Sequence, residues 1–375
     1  MRKIATPLLA LSLSFALAAC HGGRPNMAPR PEALGFPLME ESALAFEGTA
    51  NSPVAVRYGV AYFTTEEGSL YSLDVLSRRI LWRFAADRPI SAPPELCADE
   101  ILIRDDGDTI YVLDTDGRVT FKTTLSGTVT TAVRESEGRI YFGCANGRIA
   151  ALDSRANSQA LWRFDAGSAV RCGPVFSDGL VVFGTENGRL LALDSGGKPV
   201  WSFAARGPIQ VDPSASAGHV YFGTADRTVY CLDSATGKKK WAFRPAGAVL
   251  HPPVASGKRL IIAASNSVIY CLSAGSGEIL WWQAVASRVV HGPSVADGVV
   301  LVSSTSPEVF GCELRAGYRV GSYQAAGDLQ AGAVWVSPYL VVIGKDADSA
   351  GGKVIFLKRD RRPVQKLGET KPVRR

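Results

Sequence analysis

Apolar residues along the chain fall in short runs, broken by Gly, Asn and Asp, and the runs return at a nearly fixed interval. Examples are Val60-Ala61-Tyr62-Phe63, Ile140-Tyr141-Phe142-Gly143, Val181-Val182-Phe183-Gly184 and Val220-Tyr221-Phe222-Gly223. A Leu-Asp pair or its relative follows, at Leu73-Asp74, Leu113-Asp114, Leu152-Asp153, Leu193-Asp194, Leu232-Asp233 and Leu272-Ser273. An aromatic residue then closes the unit: Trp82, Phe121, Trp162, Trp201, Trp241 and Trp281, separated by 39, 41, 39, 40 and 40 residues. Short runs rich in Val, Ile, Tyr and Phe predict half-buried strands. No long segment carries a 3.6-residue apolar period, so few helices are expected. Self-similarity at this spacing predicts a repeat architecture.

One unit shows the local logic. A first strand follows Pro174, and Asp178-Gly179 turns it into a second at 180–184. Glu186-Asn187-Gly188 leads to a third at 189–194, and Ser195-Gly196-Gly197 to a fourth that holds Trp201 and Phe203. Gly, Asn and Asp supply the positive φ of tight hairpins. Eight such units open near residues 53, 91, 130, 171, 210, 250, 290 and 330. The last has runs at 334–336, 339–344 and 353–357, and then no fourth strand. A matching strand stands at the other end of the chain, where Leu44-Ala45-Phe46 resembles Trp82-Arg83-Phe84 and Trp162-Arg163-Phe164. The expected fold class is all-β: an eight-bladed β-propeller of four-stranded antiparallel blades, the last closed by an N-terminal strand. Ring closure removes the open ends of a linear array.

The N-terminus changes the address. Arg2 and Lys3 precede an apolar stretch from Ile4 to Leu17, which ends in Leu17-Ala18-Ala19-Cys20. That order reads as a secretory signal, too short for a spanning helix. It is similar to the bacterial lipobox, which implies cleavage before Cys20 and lipidation of its thiol; His21 after the cysteine fits the outer membrane. The expected domains are a signal peptide at 1–20, a linker at 21–42, the propeller at 43–360 and a basic, disordered tail at 361–375. The formal charge of +6 resides in residues 358–375, which carry eight basic and two acidic groups. The remainder is neutral, so no nucleic-acid-binding fold is implied. The tail is suited to anionic lipid headgroups or to solvent.

Six cysteines remain beside Cys20: Cys97, Cys144, Cys172, Cys231, Cys271 and Cys312. The last three recur at one repeat position, too far apart from blade to blade to bridge, and read as small buried hydrophobes. Cys144 and Cys172 are the one pair considered for a disulfide.

The repeat around Leu232-Asp233-Ser234-Ala235-Thr236-Gly237-Lys238-Lys239-Lys240-Trp241 resembles that of the quinoprotein propellers, over residues 43 to 357. Two branches share it, the pyrroloquinoline quinone dehydrogenases and the BamB-like outer-membrane assembly lipoproteins. The first uses an adjacent Cys-Cys pair and calcium ligands on long inserted loops. Here no two cysteines are adjacent and the connections are short. No cofactor is expected. Lipobox, length and eight bare blades resemble the second branch. That resemblance implies a lipid-anchored, non-enzymatic scaffold in the cell envelope, outer-membrane-bound and facing the periplasm. Its implied partner is the barrel-inserting protein of the outer membrane. Two alternatives stand beside it: a quinone- or metal-binding propeller, and an envelope scaffold with an unrelated partner.

Candidate site residues follow from the repeat. Connections from the fourth strand of one blade to the first of the next vary most, and loops carried on a rigid scaffold are where partners bind. They hold Arg171, Arg206, Gln210 and Asp212, and the resemblance implies that an Arg and an Asp on two adjacent connections, here Arg171 and Asp212, contact the partner. His251 and His291 share a repeat position with Asn51, Thr131 and Cys172, which are expected to ring one mouth of the central channel. Two His and a Cys also suggest a soft metal, although a zinc site wants three or four converging ligands. Asp105-Asp106-Gly107-Asp108 is the one dense carboxylate run, and reads as a polar hairpin before it reads as a calcium loop. No nucleophile elbow or phosphate loop in the required setting is present.

Overall fold

The computed structural model describes residues 34–360, apart from 91, 98, 126, 155–159 and 346–350. Cys20 with its signal, the first part of the expected linker and the basic tail from 361 onward lie outside the described residues.

Seven consecutive four-stranded antiparallel sheets span residues 55–85, 95–124, 134–165, 170–204, 214–243, 254–284 and 289–324. They are blades 1 to 7. Blade 8 is completed from the other end of the chain. Leu38–Phe46 pairs antiparallel with Gly352–Arg359, with Ala43 opposite Ile355 and Phe46 opposite Gly352. Gly352–Arg359 pairs with Tyr339–Lys345, against which the two short strands Asp328–Leu329 and Val334–Val336 share the innermost position. The closing strand begins at Leu38, five residues ahead of the expected propeller start at 43.

The sandwiching explains the residue pattern. Second and third strands are covered by a blade on either side, so Val60–Thr64 and Ser69–Asp74 are buried almost throughout. Outermost strands alternate, as in Arg79–Ala85. The buried side chains form eight clusters, one in each seam between neighbouring blades. Among the described residues the core lies in these seams, and the 8/1 seam, where Phe46 packs on Phe63 and Tyr71, joins the first and last blades.

Five seams carry the same lock. The indoles of Trp82, Trp162, Trp201, Trp241 and Trp281 donate to the carbonyls of Thr115, Ser195, Ser234, Ala274 and Leu314 in the next blade, at 2.8–3.0 Å. Each ring lies flat on a turn glycine of that blade. A Cβ on Gly117, Gly197, Gly237, Gly277 or Gly317 would come within 2.4–2.6 Å of the indole, and all five have φ between +68° and +81°. Only glycine meets both demands.

The other three seams are finished differently. At 8/1, Arg78 takes the positive φ of 57° and reaches back across the closing strand to Ser42. At 7/8 the position of the Trp is Gly321, and Phe36 fills the space above it, so close that a Cβ on Gly321 would meet the Phe36 side chain at 2.5–2.7 Å. Leu34 is buried beside it and its N–H donates to Asp297. At 2/3 the Trp is Phe121, and the sequence from 155 to 159 has no glycine.

Candidate functional site

The connections between blades and the turns between second and third strands form one face of the ring. In every blade the innermost strand is entered through a bridge residue. These bridges are Ala50, Ile90, Val129, Ile209 and Val249, with Val170, Val289 and Leu329 in the corresponding ladders. Arg171, Gln210 and Leu250, each one residue after its bridge, are exposed, and Arg206 is exposed on the same connection as Gln210.

Arg171 turns its guanidinium to Glu186 of its own blade, with Nε and Nη2 donating to Oε2 at 3.2 and 3.0 Å. Both partners are about half exposed, so the pair stabilises the fold little and leaves a planar donor fork available. Arg206 makes no ion pair among the described residues. Arg171, Arg206 and Gln210 thus lie on two successive connections as a solvent-facing basic and amide group.

Asp212 does not join them. Its carboxylate points into the ring and accepts the N–H of Gly173 in blade 4 at 2.8 Å. Burial raises its pKa, against the pull of that N–H and of Arg134. The geometry makes it an inter-blade clamp rather than a rim charge beside Arg171.

The expected channel-mouth residues are gathered, with one shift of register. Ser52, not Asn51, is equivalent to Thr131, because Ser52 Oγ accepts the N–H of Thr64 as Thr131 Oγ1 accepts that of Gly143. Most of these side chains reach the next blade. Asn51 Nδ2 donates to Ile90 O, Cys172 Sγ to Ile209 O at 3.3 Å, and His291 Nε2 meets Leu329 O at 3.2 Å. His251 makes the same bond to the Val289 backbone. At the 3/4 seam the donor is Thr130, one residue before Thr131, to Val170 O. Burial lowers the pKa of both histidines. One ring nitrogen of each is engaged in holding blades together, and no group of three or more His, Cys, Asp or Glu converges as a metal set among the described residues.

The carboxylate run behaves as a hairpin. Asp105 is fully buried, and its Oδ1 accepts the N–H of Gly107 and Thr109, both at 2.9 Å, while Oδ2 accepts Tyr111 OH at 3.1 Å. Thr65 and Thr185 take the same position in their blades and accept the equivalent N–H groups of Ser69 and Arg189. A cation there would compete with donors already in place. All six described cysteines are unpaired and buried, Cys144 and Cys172 included. Burial pushes the thiols of Cys231 up to about 12 and of Cys271 and Cys312 to about 11, which makes them poor nucleophiles.

Three features escaped the sequence reading: the packing of Leu34 and Phe36, the inward turn of Asp212, and a pair of arginines, Arg148 and Arg163, over a depression at the 2/3 seam.

The sequence matches the family model described as outer membrane protein assembly factor BamB over residues 66–168, 145–251 and 244–361. Among solved structures, the crystal structure of BamB from Moraxella catarrhalis superposes with a TM-score of 0.70 at 16% identity, covering 86% of this chain and 99% of that one. The computationally designed Ika8 protein superposes with a TM-score of 0.72 at 16% identity, over 83% of this chain and 97% of its own. At this identity both speak for the fold alone. No match is found among curated proteins.

Proposed function

The chain belongs to the family of outer membrane protein assembly factor BamB, and from that premise we propose that it is a lipid-anchored, non-enzymatic scaffold for assembling β-barrel proteins into the outer membrane. Cys20 carries the anchor, the propeller faces the periplasm, and the basic tail is available to anionic lipid. The partner, a barrel-inserting envelope protein, docks on the connections that present Arg171, Arg206 and Gln210, with Asp212 holding the neighbouring connection in shape.

The observation that carries this reading is the family match across most of the propeller, on a chain whose blades are joined by short connections. Quinone-type repeats also serve enzymes. Against that use, the carboxylates and imidazoles best placed for a cofactor, Asp105, His251 and His291, are spent on hydrogen bonds within the fold.

The test is co-purification from detergent-solubilised envelope at native expression. Wild type is expected to bring down the barrel-inserting protein, and Arg171→Glu to reduce recovery severalfold without a change in melting temperature. Failure of the wild type to recover it would remove the proposal.

A further inference from the structure

The outer part of the 2/3 seam lacks pieces that the 8/1 and 1/2 seams possess. In blade 1, the Arg83 guanidinium carbon lies 5.6 Å from the centre of the Tyr71 ring, and Nη1 is 2.6 Å from Glu47 of the preceding connection. In blade 2, Lys122 Nζ lies 4.9 Å from the centre of the Tyr111 ring and 2.7 Å from Asp87. Each is a triple of aromatic ring, cation and carboxylate. Register makes the third case explicit: Arg83 sits opposite Tyr71, Lys122 opposite Tyr111, and Arg163 opposite Ala150. The cation persists in blade 3 while the ring has become a methyl. The acid is also absent, since no Asp or Glu occurs between Asp116 and Glu135.

A cavity of about 120 Å³ results, floored by Leu125, Phe142, Ala150 and Leu152 and flanked by Arg148 and Arg163. Neither arginine makes an ion pair among the described residues. Asp165, on the same face, gives its carboxylate to the N–H of Gly167 at 2.8 Å. The adjoining strand, Ala160–Asp165, has no further strand beyond it among the described residues, an edge of the kind that an extended peptide extends.

We propose that this groove is a docking site for an extended polypeptide segment that supplies the two missing parts: an aromatic side chain in the space above Ala150 and a carboxylate for Arg163 and Arg148. The cation–ring contact and charge-assisted pairing that blades 1 and 2 make internally would here be made with a partner. The site lies on the outer rim and is independent of the Arg171 face.

The experiment titrates the full chain with a blocked, fluorescein-labelled peptide bearing one Phe-Asp pair in a Ser/Thr background, read by anisotropy. Wild type is expected to bind with a Kd below about 1 mM. Replacing Asp by Asn or Phe by Ala in the peptide should weaken binding about tenfold, as should Arg163→Gln in the protein. Ala150→Tyr, which restores the ring of blade 1, should abolish binding with an unchanged or higher Tm; Ala150→Leu, the residue type of blade 4 at Leu191, repeats the test should the larger ring not be accommodated. Unaltered affinity in both Ala150 variants would overturn the proposal. So would equal binding of the Phe-to-Ala peptide, or full displacement by anionic lipid vesicles in wild type and the Ala150 variants alike.

Discussion

Between blades 5 and 6, Trp241 lies on Gly277 and gives its indole N–H to Ala274. Between blades 2 and 3, Phe121 stands in place of the Trp with nothing to donate, the sequence from 155 to 159 has no glycine, and Ala92, like Val211 and Ala331 in their blades, brings no polar side chain to the channel mouth. Both seams are built from the same strands in the same register, and both bury an apolar cluster. The difference lies in the finishing groups. A propeller whose core lies in its seams can be tight at some and accessible at others without altering its fold. Here the 2/3 seam carries a cavity flanked by Arg148 and Arg163, which make no ion pair among the described residues, while a cavity at the Trp-locked 3/4 seam is lined by Tyr141, Phe176 and Leu180 without such a pair of arginines.

The comparison breaks or sharpens most strongly at the aromatic locks. Trp241→Ala is expected to cost about 3–5 kcal/mol, through a cavity and the loss of one of the donors to the Ala274 carbonyl, which keeps Tyr221 OH. Phe121→Ala, at a half-buried position, should cost no more than about half as much. Urea unfolding of the two variants measures this, and equal costs would erase the distinction between the seams.

Glycines give the next effect. Gly277→Ala adds a Cβ 2.6 Å from the Trp241 ring at φ +75° and should cost about 2–4 kcal/mol, combining backbone strain and overpacking. Gly127→Ala has an equally unfavourable φ of +108° but meets nothing nearer than 4.0 Å, so only the strain of about 1–2 kcal/mol applies. Thermal melts of the pair separate steric fit from backbone conformation.

The smallest expected effect concerns pH at the channel mouth. His251 and His291 tie blade 6 to 7 and blade 7 to 8, and burial lowers their pKa. The folded state therefore prefers the neutral rings. Their contribution is complete above the unfolded histidine value near 6.5 and declines as pH falls through it toward the folded value. Burial raises the pKa of Asp212 and Glu95, which has the opposite sign: the cost of their ionised forms disappears on acidification. Comparing wild type with a His251→Asn, His291→Asn double variant isolates the imidazoles. The variant should lose less Tm than wild type between pH 7.5 and 5.5; parallel losses would deny the histidines this role.

The blade count and the closure were legible because they rest on local chemistry repeated many times: turn residues, alternating strands and a recurring aromatic. What remained hidden had a common cause. Aligned on Pro53 and Pro253, Asn51 is level with His251, whereas the bridges at Ala50 and Val249 align Pro53 with Pro252; a proline fits either position at the start of an innermost strand, so it is a poor marker of register. Gly321 reads in the sequence as a lost Trp, and nothing local reveals that Phe36, 285 positions earlier, fills the gap. The direction of Asp212 is set in an irregular connection, where neither period of two nor of 3.6 applies. Arg163 became conspicuous only when its column opposite Tyr71, Tyr111 and Ala150 was fixed by strand pairing. The candidate partner-binding face was readable as a set of variable connections, but not which of its polar groups turn inward.

Hydrogen exchange on the full chain tests the central claim, a ring sealed seam by seam and closed by its own N-terminal strand. Amides of Leu38–Phe46 that bond to Gly352–Arg359 should be protected to the same degree as those of Tyr339–Lys345 in the same sheet. Exchange of the 38–46 segment at the rate of an unstructured peptide, with blade 8 otherwise protected, would contradict it.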